Sequence, residues 1–155
     1  MSQHEFNALI GDVTKSLDGL VVDAEMAVHL NRSFPVDGDV FRRLADLCAE
    51  GERDGWLLQR EAGGIKYGRA IKPDAEAGPF SVDVVKMSNS RGPHHIHTQG
   101  EIGAIMPIAG APKFDAFGPG WYVYPPGSDH HPTVTGGDAY VLYLLPEGAI
   151  KFTGK

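Results

Sequence analysis

The sequence predicts a mainly β fold, a single small antiparallel β-barrel or sandwich with an α-helical N-terminal region. Turn formers are abundant, since 20 glycines and 11 prolines make up one in five of the 155 residues, which suits many short strands. From Trp56 onward, short apolar runs alternate with Gly- and Pro-containing turns, with no helical stretch between them, and this favours antiparallel sheets over βαβ units. We therefore expect a helical region, residues 1–55, packed on a β-barrel, residues 56–155, within one structural domain.

Three helices are predicted in the N-terminal region. Ser2 and Glu5 have the spacing of a capping box, and the apolar residues that follow recur with helical period. Two further amphipathic stretches come after Asp18-Gly19, and Gly51 begins the segment that ends the last of them. The predicted helices cover approximately 2–17, 23–33 and 37–50.

The remaining chain predicts short strands separated by turns. Gly63-Gly64, Pro125-Pro126-Gly127 and Gly136-Gly137-Asp138 are typical of these turns. The predicted strands cover 56–61, 65–71, 80–87, 101–108, 113–117, 121–124, the neighbourhood of 133, 139–145 and 149–152.

Composition excludes several classes of function. The net charge of −6, with no Lys/Arg cluster, makes nucleic acid an unsuitable partner. No apolar run approaches the ~20 residues that span a bilayer, so no membrane association is expected. The opening Met-Ser-Gln-His-Glu-Phe lacks the regions of a secretory signal, which predicts a cytoplasmic protein.

The single cysteine, Cys48, excludes an internal disulfide or a thiolate cluster, and we expect it in the core.

Five of the seven histidines fall in two groups within the β region. His95 and His97 form an H-x-H pair, and alternate side chains of a strand share one face. Glu101 returns to that face if the strand resumes without a bulge, although Gly100 favours a bend there, and His130 follows a tight turn. Such a set can make an incomplete shell around a divalent metal, with positions left for substrate or water. A metal-free polar pocket is the alternative.

Two of these segments resemble the motifs of the cupin superfamily. The string Gly92-Pro93-His94-His95-Ile96-His97-Thr98-Gln99-Gly100-Glu101 is similar to the first motif, and Pro125-Pro126-Gly127-Ser128-Asp129-His130 is similar to the second. The resemblance implies a cupin or jelly-roll barrel. It also implies that the metal ligands are His95, His97, Glu101 and His130.

The chain as a whole resembles the 4-hydroxylaminobenzoate lyase family. Four parts of the chain carry this resemblance. They are the helical N-terminal region, the segment Asp54-Gly55-Trp56-Leu57, the first histidine string, and Gly120-Trp121-Tyr122-Val123-Tyr124 together with the second string. It implies conversion of 4-hydroxylaminobenzoate and water to 3,4-dihydroxybenzoate (protocatechuate) and ammonia, in bacterial degradation of nitrobenzoates. The implied partner is a small aromatic carboxylate, and we expect a homodimer. The implied cofactor is a divalent Fe, Mn or Zn ion, without flavin or nicotinamide.

Each candidate site residue has an expected role. Cleavage of an N–O bond needs a general acid or a Lewis acid. Glu101 is therefore expected to be either the proton donor or a metal ligand. The other expected catalytic residues are His95, His97 and His130. The candidates for substrate binding are Arg69 as a carboxylate clamp, Tyr122 and Tyr124 as pocket aromatics, and His131.

Two other functions use the same residues. A metal-dependent dioxygenase acting on a phenolic aromatic acid would place oxygen in the open coordination positions. A non-catalytic cupin that senses a small ligand or metal would bind without turnover.

Overall fold

The computed structural model describes residues 2–155, which form three helices followed by nine strands. The helices are α1 (Ser2–Lys15), α2 (Ala24–Ser33) and α3 (Asp39–Asp54). The side chain of Asp23 accepts hydrogen bonds from the backbone N–H groups of Glu25 and Met26 and so caps α2. Helix α3 ends at Gly55, whose φ of 85° is the left-handed conformation that glycine adopts without strain.

The strands form two antiparallel sheets. They are β1 (Arg60–Ala62), β2 (Ile65–Ile71), β3 (Phe80–Arg91), β4 (His95–His97), β5 (Glu101–Phe114), β6 (Gly120–Tyr124), β7 (Ser128–His130), β8 (Thr133–Pro146) and β9 (Lys151–Phe152). The large sheet has the order β1-β2-β3-β8-β5-β6, and the small sheet has the order β7-β4-β9. The predicted mainly β fold with an α-helical N-terminal region is confirmed. Across residues 2–155 the strands pair as two sheets and not as one hydrogen-bonded cylinder.

Long central strands replace several of the short predicted ones. Strand β5 joins the segment predicted at 101–108 to the first two residues of the one predicted at 113–117, whose remaining residues form a turn. The pairing of β5 with β8 shifts register between Pro107 and Ala109 and again between Gly110 and Lys113. In the segment predicted as a strand at 56–61, the N–H groups of Trp56 and Leu57 bond instead to the carbonyl of Gly51 and close the end of α3.

The helices cover one face of the large sheet. Their buried residues share one hydrophobic core with alternate residues of β3, β5 and β8, a set that includes Phe6, Ile10, Leu44, Val82 and Leu142. The residues of opposite parity, such as Val85, Val141 and Ile105, lie on the other face. The small sheet lies over that face and leaves a cavity between the sheets.

Among the described residues, no helix is both long and apolar enough to cross a membrane.

Candidate active site

The small sheet and the start of β5 bring four candidate metal ligands together. His95 on β4 pairs with His130 on β7, and His97 shares the inward face of β4 with His95. The chain then turns through Gly100, with φ of 92°, before Glu101 begins β5. A Cβ at Gly100 would meet the backbone oxygen of Tyr124 at 2.8 Å, so the turn depends on the absence of a side chain.

The donor atoms of His95, His97, Glu101 and His130 all lie within 4.8 Å of one another. Nε2 of His130 is 2.9 Å from Nε2 of His95 and 3.1 Å from Nε2 of His97. Oε1 of Glu101 is 2.5 Å from Nε2 of His97 and 3.8 Å from Nε2 of His130. Three of these side chains are buried, and His130 is nearly so.

This donor set fits a divalent metal ion. Two ligands at right angles, each about 2.1 Å from one ion, are about 3.0 Å apart, which matches the spacing of the imidazole nitrogens. Burial, followed by the neighbouring imidazoles of His97 and His130, lowers the pKa of His95 to about 4. His95 is therefore neutral at neutral pH, the form in which histidine binds metals. Three imidazole nitrogens and one carboxylate oxygen suit Zn, Fe or Mn.

Tyr122 holds the carboxylate of Glu101 from the side away from the histidines. The ring of Tyr122 lies over Gly103 of the neighbouring strand, where a Cβ would come within 2.1 Å of it. The Tyr122 hydroxyl therefore reaches Oε2 of Glu101 and donates a hydrogen bond to it. Burial and the negative charge of Glu101 raise the pKa of Tyr122 well above 10.0, so the hydroxyl keeps its proton.

Asp115 performs the equivalent task for His130. Its Oδ2 lies 2.7 Å from Nδ1 of His130 and accepts a hydrogen bond of 2.6 Å from the hydroxyl of Tyr124, while Oδ1 accepts one from the N–H of Thr133. Burial alone would raise the pKa of Asp115, but the hydrogen bonds from His130 and Tyr124 outweigh it and lower the pKa below 3.8. A carboxylate only accepts, so Nδ1 of His130 is the donor and Nε2 is the ring nitrogen that faces the cluster.

Sequence reasoning missed Asp115. The residue follows β5 in the turn before β6, with φ of 53°, and nothing in its spacing links it to His130. The sequence feature that could have drawn attention to Asp115 is its position as an acidic residue between two aromatic residues, Phe114 and Phe117.

A cavity of about 390 Å³ opens onto His95 and Glu101. This volume lies within the range of small-molecule sites. Most of its wall is apolar and comes from both sheets, including Ile65, Val85, Met87, Phe114, Val141, Ile150 and Phe152. An aromatic ring fits this lining. The residues of the donor cluster that it would meet are His95 and Glu101.

The chain matches a known protein family over nearly its whole length. The family model described as "PnbB: 4-hydroxylaminobenzoate lyase" covers residues 8–152. The chain belongs to the 4-hydroxylaminobenzoate lyase family. The resemblance drawn from the sequence is thereby confirmed.

Curated relatives agree with this family. A 4-hydroxylaminobenzoate lyase of Nocardioides sp. (strain LMS-CY) is 32% identical over 132 residues, which cover 79% of this chain and 78% of that protein. A 4-hydroxylaminobenzoate lyase of Pseudomonas putida is 27% identical, with 96% of this chain and 94% of that protein covered. The named relatives of this lyase family are enzymes, which supports an enzymatic role here.

Solved structures show more distant similarity. An RmlC-like cupin protein from Ralstonia eutropha aligns with a TM-score of 0.44 at 12% identity, over 58% of this chain and 60% of that one. An acetylacetone dioxygenase from Acinetobacter johnsonii aligns with a TM-score of 0.46 at 16% identity, over 61% of this chain and 68% of that one.

The other candidate residues of this lyase-family member lie around the cluster and not within it. Tyr122 and Tyr124 hold Glu101 and Asp115, as described above. Arg69 pairs with Asp83 in a second cavity, at 2.9 Å and 3.2 Å. His131 packs against His94, with ring centroids 4.8 Å apart, outside the donor cluster.

Proposed function

We propose that this protein converts 4-hydroxylaminobenzoate and water to 3,4-dihydroxybenzoate and ammonia. The observation that carries the proposal is the donor cluster at the wall of an apolar cavity, in a chain matched over residues 8–152 by the lyase family model. The reaction balances without an external oxidant or reductant, because one water enters and one ammonia leaves. The nitrogen is reduced as its N–O bond breaks, and the ring carbon that gains oxygen is oxidised.

The cavity supports binding of the aromatic substrate. Ring faces of the substrate would contact the apolar side chains of both sheets, among them Val85, Val141 and Phe152. These contacts exclude bulk water from the reacting end and hold the ring toward His95 and Glu101. A cation-like ring intermediate would then react with a water molecule next to the donor cluster and not with bulk water.

The cluster supplies the acid catalysis in this proposal. His95, His97, Glu101 and His130 would hold a divalent ion, which would supply a Lewis acid for cleavage of the N–O bond. The departing hydroxyl would take one proton from the solvent to leave as water, and that proton is released again when water adds to the ring. Oε2 of Glu101 is occupied by the Tyr122 hydroxyl, and Oε1 faces His97. This arrangement supports Glu101 as a ligand in preference to a free proton donor.

The test is ammonia release from 4-hydroxylaminobenzoate by the purified protein without oxygen, with and without a chelator. We expect equal amounts of ammonia and 3,4-dihydroxybenzoate, and loss of both after chelation and in His97→Ala. His4→Ala, an exposed histidine of α1, is the matched control and should retain activity.

Three results would contradict parts of the proposal. Turnover that persists after the metal content has been shown to be zero would assign acid catalysis to Glu101 without an ion. A requirement for oxygen, with oxygen consumed in turnover, would favour a dioxygenase. Binding of the substrate with no ammonia formed would favour a sensor.

A further inference from the structure

Two cavities meet at a pair of tyrosines. The cavity that opens onto His95 and Glu101 shares its wall residues Tyr67, Tyr143, Ile150 and Phe152 with a second cavity of about 420 Å³. The second cavity contains the Arg69–Asp83 pair. Among these four shared residues, the polar side chains are the phenols of Tyr67 and Tyr143. We call the boundary formed by these four shared residues the junction.

The register of the large sheet places Tyr143 between the charged pair and the donor cluster. Arg69 on β2 is opposite Asp83 on β3, Asp83 is opposite Tyr143 on β8, and Tyr143 is opposite Gly103 on β5. Cross-strand partners lie on the same face of a sheet. Glu101 is two residues from Gly103 and shares that face as well. A ligand with one end near Glu101 would thus extend along this face toward Tyr143.

The junction offers hydrogen-bond donors. Within residues 2–155, the hydroxyls of Tyr67 and Tyr143 have no hydrogen-bond partner, and the side chain of Tyr143 is partly buried. Burial, and then the negative charges of Asp83 and Glu101, raise the pKa of Tyr143 far above its ordinary value. Tyr143 therefore stays neutral and can donate its proton to an acceptor that enters the cavity.

The charge behind the junction is balanced. Nε and Nη2 of Arg69 bind both oxygens of Asp83, so the carboxylate of Asp83 is not left unpaired. Nη1 of Arg69 forms no hydrogen bond with Asp83 and lies beside Gly148. Two phenol hydroxyls, beside a carboxylate whose charge Arg69 already neutralises, suit an anionic group with two oxygens.

We propose that the junction is a carboxylate subsite, in which the hydroxyls of Tyr143 and Tyr67 bind the carboxylate of an aromatic acid. The Arg69–Asp83 pair stays intact beside them and adds no net charge. The opposite end of the ring then faces His95 and Glu101. The identity of the reacting end rests on the proposed function, whereas binding of the carboxylate can be measured without turnover.

The tyrosines provide the cleanest variants. Removing Arg69 would leave Asp83 buried and unpaired, which destabilises the fold itself. Tyr143→Phe and Tyr67→Phe remove only a hydroxyl. Tyr140→Phe is the matched control, because Tyr140 lies on the same strand but its hydroxyl bonds to Glu52 on the opposite face.

The experiment compares two unreactive ligands by titration calorimetry. 4-Aminobenzoate carries the carboxylate, and aniline has the same ring without it. We expect Tyr143→Phe to weaken 4-aminobenzoate binding about tenfold to a hundredfold, the loss typical of a hydrogen bond to a charged group. Tyr67→Phe should weaken it less, because Tyr67 is 37% exposed. Aniline binding should change less than about twofold, and Tyr140→Phe should alter neither ligand.

The outcomes separate this subsite from the proposed reaction. Equal losses for both ligands in Tyr143→Phe, no loss for 4-aminobenzoate in either variant, or a wild-type protein that does not bind 4-aminobenzoate would each overturn the subsite. Carboxylate-dependent binding without ammonia release would retain the subsite and reject the lyase reaction. If turnover occurs, Tyr143→Phe should raise KM for 4-hydroxylaminobenzoate and leave kcat nearly unchanged.

Discussion

Nδ1 of His130 lies 2.7 Å from Oδ2 of Asp115. The same oxygen accepts the hydroxyl of Tyr124, so one carboxylate orients two rings beside the donor cluster. In Asp115→Asn an NH₂ group would face both of these donors or, in the other amide orientation, the N–H of Thr133. We expect the affinity of the metal-free protein for Co²⁺, measured by its absorption spectrum, to fall about tenfold to a hundredfold.

The control for this variant is Asp46→Asn, an exposed position on α3. It should bind Co²⁺ like the wild type. An unchanged Co²⁺ affinity in Asp115→Asn would show that Asp115 does not orient His130.

Gly103→Ala should destabilise the fold and misplace Tyr122. The added Cβ would come within 2.1 Å of the Tyr122 ring, and overpacking of this kind costs about 1–3 kcal/mol. Urea unfolding measures the cost. Gly118→Ala, where a Cβ has open space, should cost less than about 0.5 kcal/mol.

The origin of this cost can be checked with a double variant. In a Tyr122→Leu background the clash is relieved, so Gly103→Ala should lower the free energy of unfolding by less. An equal cost in both backgrounds would mean that the ring of Tyr122 is not the obstacle.

Glu52 should make stability depend on pH in the acid range. It accepts hydrogen bonds from Lys86, Lys66 and Tyr140, and so ties α3 to the large sheet. Burial alone would raise the pKa of Glu52, but these bonds outweigh it and lower the pKa below 4.5. A carboxyl whose pKa is lower in the folded state than in the unfolded state stabilises the fold fully when the pH is above its unfolded-state pKa. That contribution is lost as the pH falls through the folded-state pKa.

The measurement is urea unfolding of wild type and Glu52→Gln at several pH values. The variant should be less stable by about 1 kcal/mol near neutral pH, and the difference should vanish at acid pH. Glu61→Gln, an exposed residue on β1, should show no such pH-dependent difference. A constant difference across the range would reject the ionic origin.

Metal removal should lower the melting temperature. An ion that binds only the folded state stabilises it by about 2.7 kcal/mol at a concentration 100 times its Kd. Differential scanning fluorimetry with Zn²⁺, Mn²⁺ or Fe²⁺, before and after chelation, measures the shift. His97→Ala should abolish the shift and His4→Ala should keep it. A melting temperature insensitive to all three ions in the wild type would argue against a metal site.

Cys48 should resist alkylation while the protein is folded. Burial raises the pKa of its thiol to about 12, and only the thiolate reacts. Iodoacetamide labelling, followed by mass spectrometry in increasing urea, should rise with global unfolding. Labelling in native buffer would show that α3 separates locally from the sheet.

The local parts of this structure follow from the sequence. His95 and His97 share a face because alternate residues of a strand do so. Helix α3 ends at Gly55, four residues beyond the predicted start of its end segment at Gly51. These features depend on short-range periodicity and on the φ angles that glycine permits.

The non-local parts do not follow from the sequence. The pairing of β4 with both β7 and β9, and the contact of Asp115 with His130, depend on tertiary packing. Likewise, Trp56 and Leu57 have the composition of a strand, but the unsatisfied carbonyl of Gly51 at the end of α3 takes their N–H groups.

The donor cluster spans the interface between the two sheets. His95, His97 and His130 belong to the small sheet, and Glu101 begins a central strand of the large sheet. A movement that separates the sheets would therefore open the cavity and divide the ligand set at the same time. Substrate entry, metal exchange and local opening of the small sheet would share this one motion, so their rates should change together when the packing between the sheets is altered.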